Sequence, residues 1–407
     1  MQQESQHEPL WTKSFISITV CSFLLFLNLQ MLLSSFPAYV QNDLHAGNVA
    51  VSLVTSVFAL TAIAARFMTA ALMRRMSKDY LLLAGLLLAA VTTLLYPSAH
   101  AVSSLLVMRI GYGVGFGMAS TILPTLVSQL IPPRRMGEGI GYFGLSTSLA
   151  MSVGPMVGMN LMSGFGFGTL ASVGTAVVLL VLPILLISGI VRMRRDGRYV
   201  KNAAAKVSAD GGSKTGFNHK LWMPALLNVL LSITYSGLLS FIVLFGEFAG
   251  LKQVGLFFLF NAITIVIIRP ISGRLFDRKG PAAVLIPAGL SVAISMLLLS
   301  YTHSMSMLII AALLYGLGFG AIQPTLQAWM LRTSSKDQYG AANSMFYNST
   351  DFGVAIGALL LGAIATMTDY ASMYRYSAGV MLLFVVLFLV IYAGSKTTML
   401  RNNQTSV

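Results

Sequence analysis

Apolar residues along this chain fall into uninterrupted blocks of about 20, separated by short polar or basic stretches. A helix of that length crosses a hydrocarbon core of about 30 Å at about 1.5 Å per residue. The pattern predicts six spans, Phe15 to Tyr39, Ser52 to Leu72, Leu81 to Tyr96, Leu105 to Leu130, Ile140 to Met162 and Leu170 to Ile190. After a polar stretch come six more, Met223 to Phe245, Val254 to Ser272, Val284 to Leu299, Met307 to Met330, Ala341 to Met367 and Tyr376 to Tyr392. The first block is too long for a signal-peptide core and no small-residue cleavage site follows it, so it reads as a permanent helix.

The blocks repeat. Arg66-Phe67-Met68-Thr69-Ala70-Ala71-Leu72-Met73-Arg74-Arg75 aligns with Arg269-Pro270-Ile271-Ser272-Gly273-Arg274-Leu275-Phe276-Asp277-Arg278 at a shift of 203, half the chain length. At the same shift Tyr112-Gly113-Val114-Gly115-Phe116-Gly117 meets Tyr315-Gly316-Leu317-Gly318-Phe319-Gly320. Pro124-Thr125-Leu126 meets Pro324-Thr325-Leu326 after a gap of three. The expected organisation is an all-α membrane protein with a six-helix half over 1–191, a basic linker over 192–220 and a second six-helix half over 221–407.

Composition agrees with the blocks. The chain has 407 residues, 56% hydrophobic and only 9% charged, against roughly 25% charged in soluble proteins. Its net charge of +14 could suggest nucleic acid, but the basic residues sit in short loops with no aromatic-interleaved surface, and topology explains them better. Of 26 Lys and Arg, three (Arg66, Arg109, Arg269) lie within helices and two (Lys252, Arg375) on one side, leaving 21 on the other. Cytoplasmic loops retain positive charge, so both termini are expected to be cytoplasmic in the cell membrane. The linker reads as a hydrated positive-inside anchor, or as a lipid-headgroup or regulatory contact. Cys21 is the sole cysteine and the five histidines lie in the tail or loops. No metal site, cofactor site or catalytic set is expected, and an enzyme is not.

The segment from Arg269 through Gly273, Asp277 and Arg278 to Gly280 resembles the signature loop of the major facilitator superfamily, whose two halves bracket a midplane substrate site. The first copy departs from that pattern, with Ala70 for the first glycine, Arg74 for aspartate and Ser77 for the second glycine. In the family that aspartate latches the outward-facing state. The resemblance therefore implies that the latch is either lost here or carried by Asp277. Arg109, followed by Gly111, Gly113, Gly115 and Gly117, is similar to the family's proton-coupling pattern. Gly154, Pro155 and Gly158, preceded by Gly144, resemble the motif of the drug:proton antiporter branch; read without the resemblance, they are an ordinary kinked helix. The opening Leu10-Trp11-Thr12-Lys13-Ser14-Phe15, with Leu27-Asn28, Met31-Leu32 and Pro37-Ala38-Tyr39, resembles a subgroup that includes exporters of opine-type metallophores.

Polar residues inside the spans are the candidates for chemistry. An arginine roughly two turns into the membrane needs a partner or a water-filled cavity. Arg109 thus serves coupling or substrate, or anchors a hydrogen-bond network. Asp351 lies about ten residues into its helix, roughly 15 Å deep, and is the one carboxylate placed so centrally. Tyr347, Asn348 and Asp351 share a helix face, and a carboxylate in a low-dielectric cavity suits proton exchange; a structural, hydrogen-bonded aspartate is the alternative. Asn28, Gln30, Asn228, Tyr235, Asn261, Gln323 and Gln327 either line the cavity or make interhelical hydrogen bonds. Glu247 and Asp43 lie near outer helix ends and read as surface groups. The expected function is proton-coupled efflux of a small molecule through the bilayer by alternating access. The alternatives are proton-coupled uptake and, in another class, a non-transporting receptor, for which midplane Arg109 and Asp351 would have no use.

Overall fold

A computed structural model describes residues 9–46, 48–190, 218–251 and 254–404. Every regular element among them is helical: α1 Lys13–Ala38, α2 Asn48–Leu72, α3 Lys78–Leu95, α4 Val102–Leu130, α5 Met136–Leu179, α6 Val181–Ile187, α7 Trp222–Phe248, α8 Leu256–Lys279, α9 Ala282–Ser300, α10 Met305–Arg332, α11 Tyr339–Met367 and α12 Tyr370–Gln404, with short single turns between some of them. Ten helices among the described residues are long and apolar enough to cross a membrane, and Ser56–Leu72 is a shorter apolar stretch. One of the ten runs over 55 residues, Pro133–Ile187. It contains the fifth predicted span and the sixth as far as Ile187, and its backbone breaks at Gly166, where φ is +77°. Only glycine takes that conformation readily, and the predicted gap between Met162 and Leu170 falls there. Most of the basic linker, 192–217, lies outside the described residues.

Local signals start the helices. The Thr12 side chain accepts from Phe15 N at 3.1 Å to cap α1, and Ser304 accepts from Met307 N at 3.3 Å to cap α10. Asp369 accepts from Ser372 N at 2.6 Å at the start of α12, which holds its carboxyl below the usual carboxylate range. Large apolar side chains stand exposed along the helices, among them Leu60, Val107, Ile187, Leu359 and Val390. In water such a surface would aggregate; in lipid it is the solvated face.

The described residues form two compact units. One takes those within Met1–Pro133, Ser146–His219 and Ser334–Ser344; the other takes Arg134–Leu145, Lys220–Thr333 and Met345–Val407. Inside each unit the repeat recurs as packing. A Cβ on Gly113 would lie 3.0 Å from Phe58 O, and one on Gly316 would lie 2.6 Å from Asn261 O, 203 positions on. A Cβ on Gly115 would lie 2.6 Å from Gly85 O, and one on Gly318 would lie 2.5 Å from Ala288 O, again 203 on. The glycines of α4 and α10 thus let backbones meet directly, the usual driving contact between helices in lipid. Gly115→Val and Gly318→Val are each expected to destabilise by about 1–3 kcal/mol. Thermal melting of the purified protein measures this, with Gly164→Ala as the control, since a Cβ there meets nothing within 4 Å.

Candidate functional site

In the first unit Arg109 is fully buried on α4. Its Nε donates to Val54 O at 3.0 Å. Its guanidinium carbon lies 4.3 Å from the Phe36 ring centre and 4.7 Å from that of Phe58. Nη1 and Nη2 have no hydrogen-bond partner among the described residues, and the nearby Tyr96 hydroxyl interacts with the charge without a well-formed bond. An arginine at the centre of a membrane helix costs about 2.5–3.5 kcal/mol. A desolvated cation over an aromatic face gains about 2 kcal/mol, so the two rings offset most of that penalty without a carboxylate.

Asn28 joins the same interior. Tyr112 Oη donates to Asn28 Oδ1 at 2.6 Å, and Tyr112 lies 5.8 Å from the Arg109 guanidinium. Asn28 Nδ2 is buried beside Gly174, without a hydrogen-bond partner among the described residues. Gln30, two residues on in α1, is half-buried. A Cβ on Gly154 would meet Gln30 Cβ at 2.5 Å, and one on Gly158 would strike Met31 O. The motif around half-buried Pro155 therefore brings the α5 backbone against α1.

In the second unit Asp351 and Tyr347 are half-buried on α11 and Asn348 is buried. Just before them Asn228 of α7 donates through Nδ2 to Phe346 O (2.9 Å), Ser349 Oγ (2.8 Å) and Thr350 Oγ1 (2.7 Å). Gly353 and Gly357 pack on Ser232 and Ile233 of α7, so the helix carrying Asp351 is held firmly there. Tyr235 stacks on Phe319 with centroids 4.9 Å apart. Asn261 is buried with no partner for Oδ1 among the described residues, Gln327 is buried, and half-buried Gln323 accepts from Arg269 Nη2 at 3.5 Å.

The signature loop forms a further polar cluster, also within the second unit. Asp277, near the end of α8, accepts from Gly137 N through Oδ1 and from Glu138 N through Oδ2, both at 2.9 Å. These donors open α5, whose first-turn N–H groups have no intrahelical acceptor. Arg332 Nη2 lies 3.6 Å from Asp277 Oδ1. Glu138 accepts from Arg135 Nε (2.8 Å) and Arg274 Nε (2.9 Å), and Arg274 Nη2 donates to Tyr142 Oη at 3.2 Å. Gly273 sits against Gly137 O so closely that a Cβ would strike it. Arg278 is exposed, and it joins Arg134, Arg135, Glu138, Arg274 and Asp277 in lining a cavity of about 370 Å³. Gly280, with φ of +79°, ends α8. The counterpart of Asp277 in the first repeat, Arg74, stands exposed at the end of α2. A guanidinium has no acceptor, so it cannot cap a helix start as Asp277 does.

The structure thus gathers Arg109 with Asn28, Arg269 with Gln323, and Asp277 with the start of α5. Sequence reasoning did not find Tyr96, Phe36, Phe58, Glu138 or Arg332. Tyr112 stands out in the sequence only as the first residue of the repeated glycine motif.

Comparison with known proteins fits this architecture. A family model described as Major Facilitator Superfamily matches residues 18–305 and 252–406. Multidrug resistance protein 1 of Bacillus subtilis is 23% identical over 88% of this chain and 92% of its own length. The staphylopine export protein of Staphylococcus aureus is 20% identical over 86% of this chain and 89% of its own. The crystal structure of the human organic anion transporter MFSD10 superposes with a TM-score of 0.75 at 17% identity, covering 92% of this chain and 98% of that one. At that identity it establishes the fold.

Proposed function

Because the chain belongs to the major facilitator superfamily and is a multi-pass membrane transporter of that family, we propose that it is a proton-coupled exporter in the cell membrane. Its cargo on this reading is a drug-like compound or a cell-made metabolite, moved outward by alternating access. The observation that carries the reading is Asp351, half-buried midway along an apolar helix. A carboxylate there is retained at a cost and suits the handling of protons. The proteins similar to this chain that are named for multidrug resistance and staphylopine export support the outward direction. The close packing of Gly154 and Gly158 on α1 is compatible with the antiporter motif. Arg109 and Asp351 would carry the coupling. Asn28, Gln30, Tyr235, Asn261, Gln323, Gln327, Tyr347 and Asn348 would serve the substrate. Arg269, Gly273, Asp277 and Arg278 would gate the cycle, with six helices in each half and a basic linker between them.

Inside-out vesicles test the direction. With an imposed proton gradient, accumulation of substrate inside them is the expected result; gradient-driven loss of preloaded substrate would establish uptake instead. Both termini are expected in the cytoplasm, from the lysine and arginine asymmetry. A reporter fused at Val407 that scores as external rejects that topology.

A further inference from the structure

The cavity of about 370 Å³ beside the signature segment is lined from within the second unit alone, by Arg134, Arg135, Arg274 and Arg278 against Glu138 and Asp277. Both carboxylates already have partners in the protein. Asp277 accepts from the N–H groups of Gly137 and Glu138, and Glu138 accepts from Nε of Arg135 and Arg274. A guanidinium carries several N–H donors in a planar fork, more than a single carboxylate oxygen takes up. Arg134, Arg274 and Arg278 stand exposed. Arginines outnumber carboxylates around the cavity, so its lining keeps a positive excess.

The face of α8 that carries two of these arginines also carries an apolar stripe. Ile263, Ile267 and Ile271 follow one another at intervals of four and are 46%, 60% and 54% exposed. Arg274 and Arg278 continue the line. At about 100° per residue all five side chains fall within an arc of about 60°. From Ile263 to Arg274 the helix rises roughly 16 Å, close to half of a hydrocarbon core of about 30 Å. The stripe therefore runs the depth of one leaflet and ends at the arginines of the cavity. The first repeat has no matching cluster: Ala71 stands 203 positions before Arg274, and Asp337 stands 203 after Arg134.

We infer that this cavity is the headgroup site of one anionic phospholipid, whose phosphate the arginines hold while an acyl chain lies along Ile263, Ile267 and Ile271. Planar guanidinium groups pair with phosphate oxygens two at a time, and basic pockets at the ends of membrane helices suit anionic headgroups. A soluble phosphate would use the arginines but leave the isoleucine stripe without a role. The inference rests on the chain being a membrane protein, and on neither the direction nor the coupling of transport.

Native mass spectrometry of the purified full-length protein, titrated with dioleoylphosphatidylglycerol or dioleoylphosphatidylcholine, tests it. One phosphatidylglycerol is expected to bind about tenfold more tightly than phosphatidylcholine, the scale of one charge-assisted hydrogen bond. Arg134→Gln and Arg278→Gln are each expected to weaken phosphatidylglycerol severalfold. Arg75→Gln removes the same charge at the exposed counterpart of Arg278 in the first repeat and is expected to leave binding as in the wild type. Inorganic phosphate in excess is expected not to displace the lipid. If a variant gives no monodisperse peak on size exclusion, the two lipids and the phosphate competition on the wild type decide alone. Equal binding of the two lipids, folded Arg134→Gln and Arg278→Gln proteins that bind phosphatidylglycerol like the wild type, or an equal loss in Arg75→Gln would overturn the site. Displacement by inorganic phosphate would make it a site for a soluble anion and overturn the lipid assignment. Because lipid is counted without a gradient, a protein that prefers phosphatidylglycerol yet exports nothing loses the efflux reading and keeps this one. A protein that exports but binds the two lipids alike does the reverse.

Discussion

Asp277→Asn is expected to slow transport by about tenfold or more while leaving the concentration for half-maximal rate close to wild type, and Asp277→Arg is expected to abolish transport. The carboxylate accepts two backbone N–H groups at 2.9 Å at the start of α5. Hydrogen bonds to a charged group contribute about 1.5–3 kcal/mol each. Asparagine keeps one acceptor and loses the charge that the helix N-terminus favours. Arginine keeps neither, and it reproduces the residue found at the matching place in the first repeat, Arg74. Since that copy has no aspartate, Asp277 is the one such cap available to the two signature segments. The effect should fall on the rate of cycling, because Asp277 lies at a helix end, two residues from the last residue of α8. Initial rates in proteoliposomes across a range of substrate concentrations separate the two quantities. Amide exchange at Gly137 and Glu138 gives a second readout, expected to be faster in the variants. An Asp277→Asn protein with a normal maximal rate and weakened affinity would show that the residue serves the substrate instead.

Much of this architecture is legible in the sequence because a membrane leaves few options. Backbone groups in lipid must pair within their own helix, so each apolar block near 20 residues has one reading. The repeat was equally readable, and the shift of 203 returns as pairs of packing neighbours: Phe58 and Asn261, Gly85 and Ala288. What could not be read is where partners lie far apart in the chain or carry no signature. Backbone N–H groups have no residue type, so nothing in the sequence marks Gly137 and Glu138 as the partners of Asp277. Nor does any spacing join Arg134–Leu145 to the helices that follow the linker, with which it forms a compact unit. For Arg109 the sequence predicts a partner or a water-filled cavity. Aromatic faces from two other helices surround the charge, a solution that residue type alone conceals in a chain with 23 phenylalanines.

Asp351→Asn is expected to permit substrate binding yet abolish proton-driven accumulation, while exchange of substrate for substrate without net proton movement persists. Asparagine matches aspartate in size and keeps polar contacts, so α11 should hold its place against α7, where Gly353 and Gly357 lie on Ser232 and Ile233. It cannot gain or lose a proton under these conditions, which removes the one chemical change the position offers. The other carboxylates are poorly placed for the task. Asp277 is committed to the start of α5 and Glu138 to two arginines, while Asp43 stands exposed and Asp369 half-buried in connections between helices. Arg109 carries a fixed charge enclosed by rings, so protonation of Asp351 would change the charge within the membrane-spanning helices while the arginines stay constant. Uptake into inside-out vesicles, measured with and without a gradient and as a function of pH, distinguishes the steps. Proton-coupled transport by Asp351→Asn at the wild-type rate and pH dependence would remove the residue from the coupling role. The proton would then have to bind elsewhere, and Glu247, near the end of α7, would be the next carboxylate to substitute.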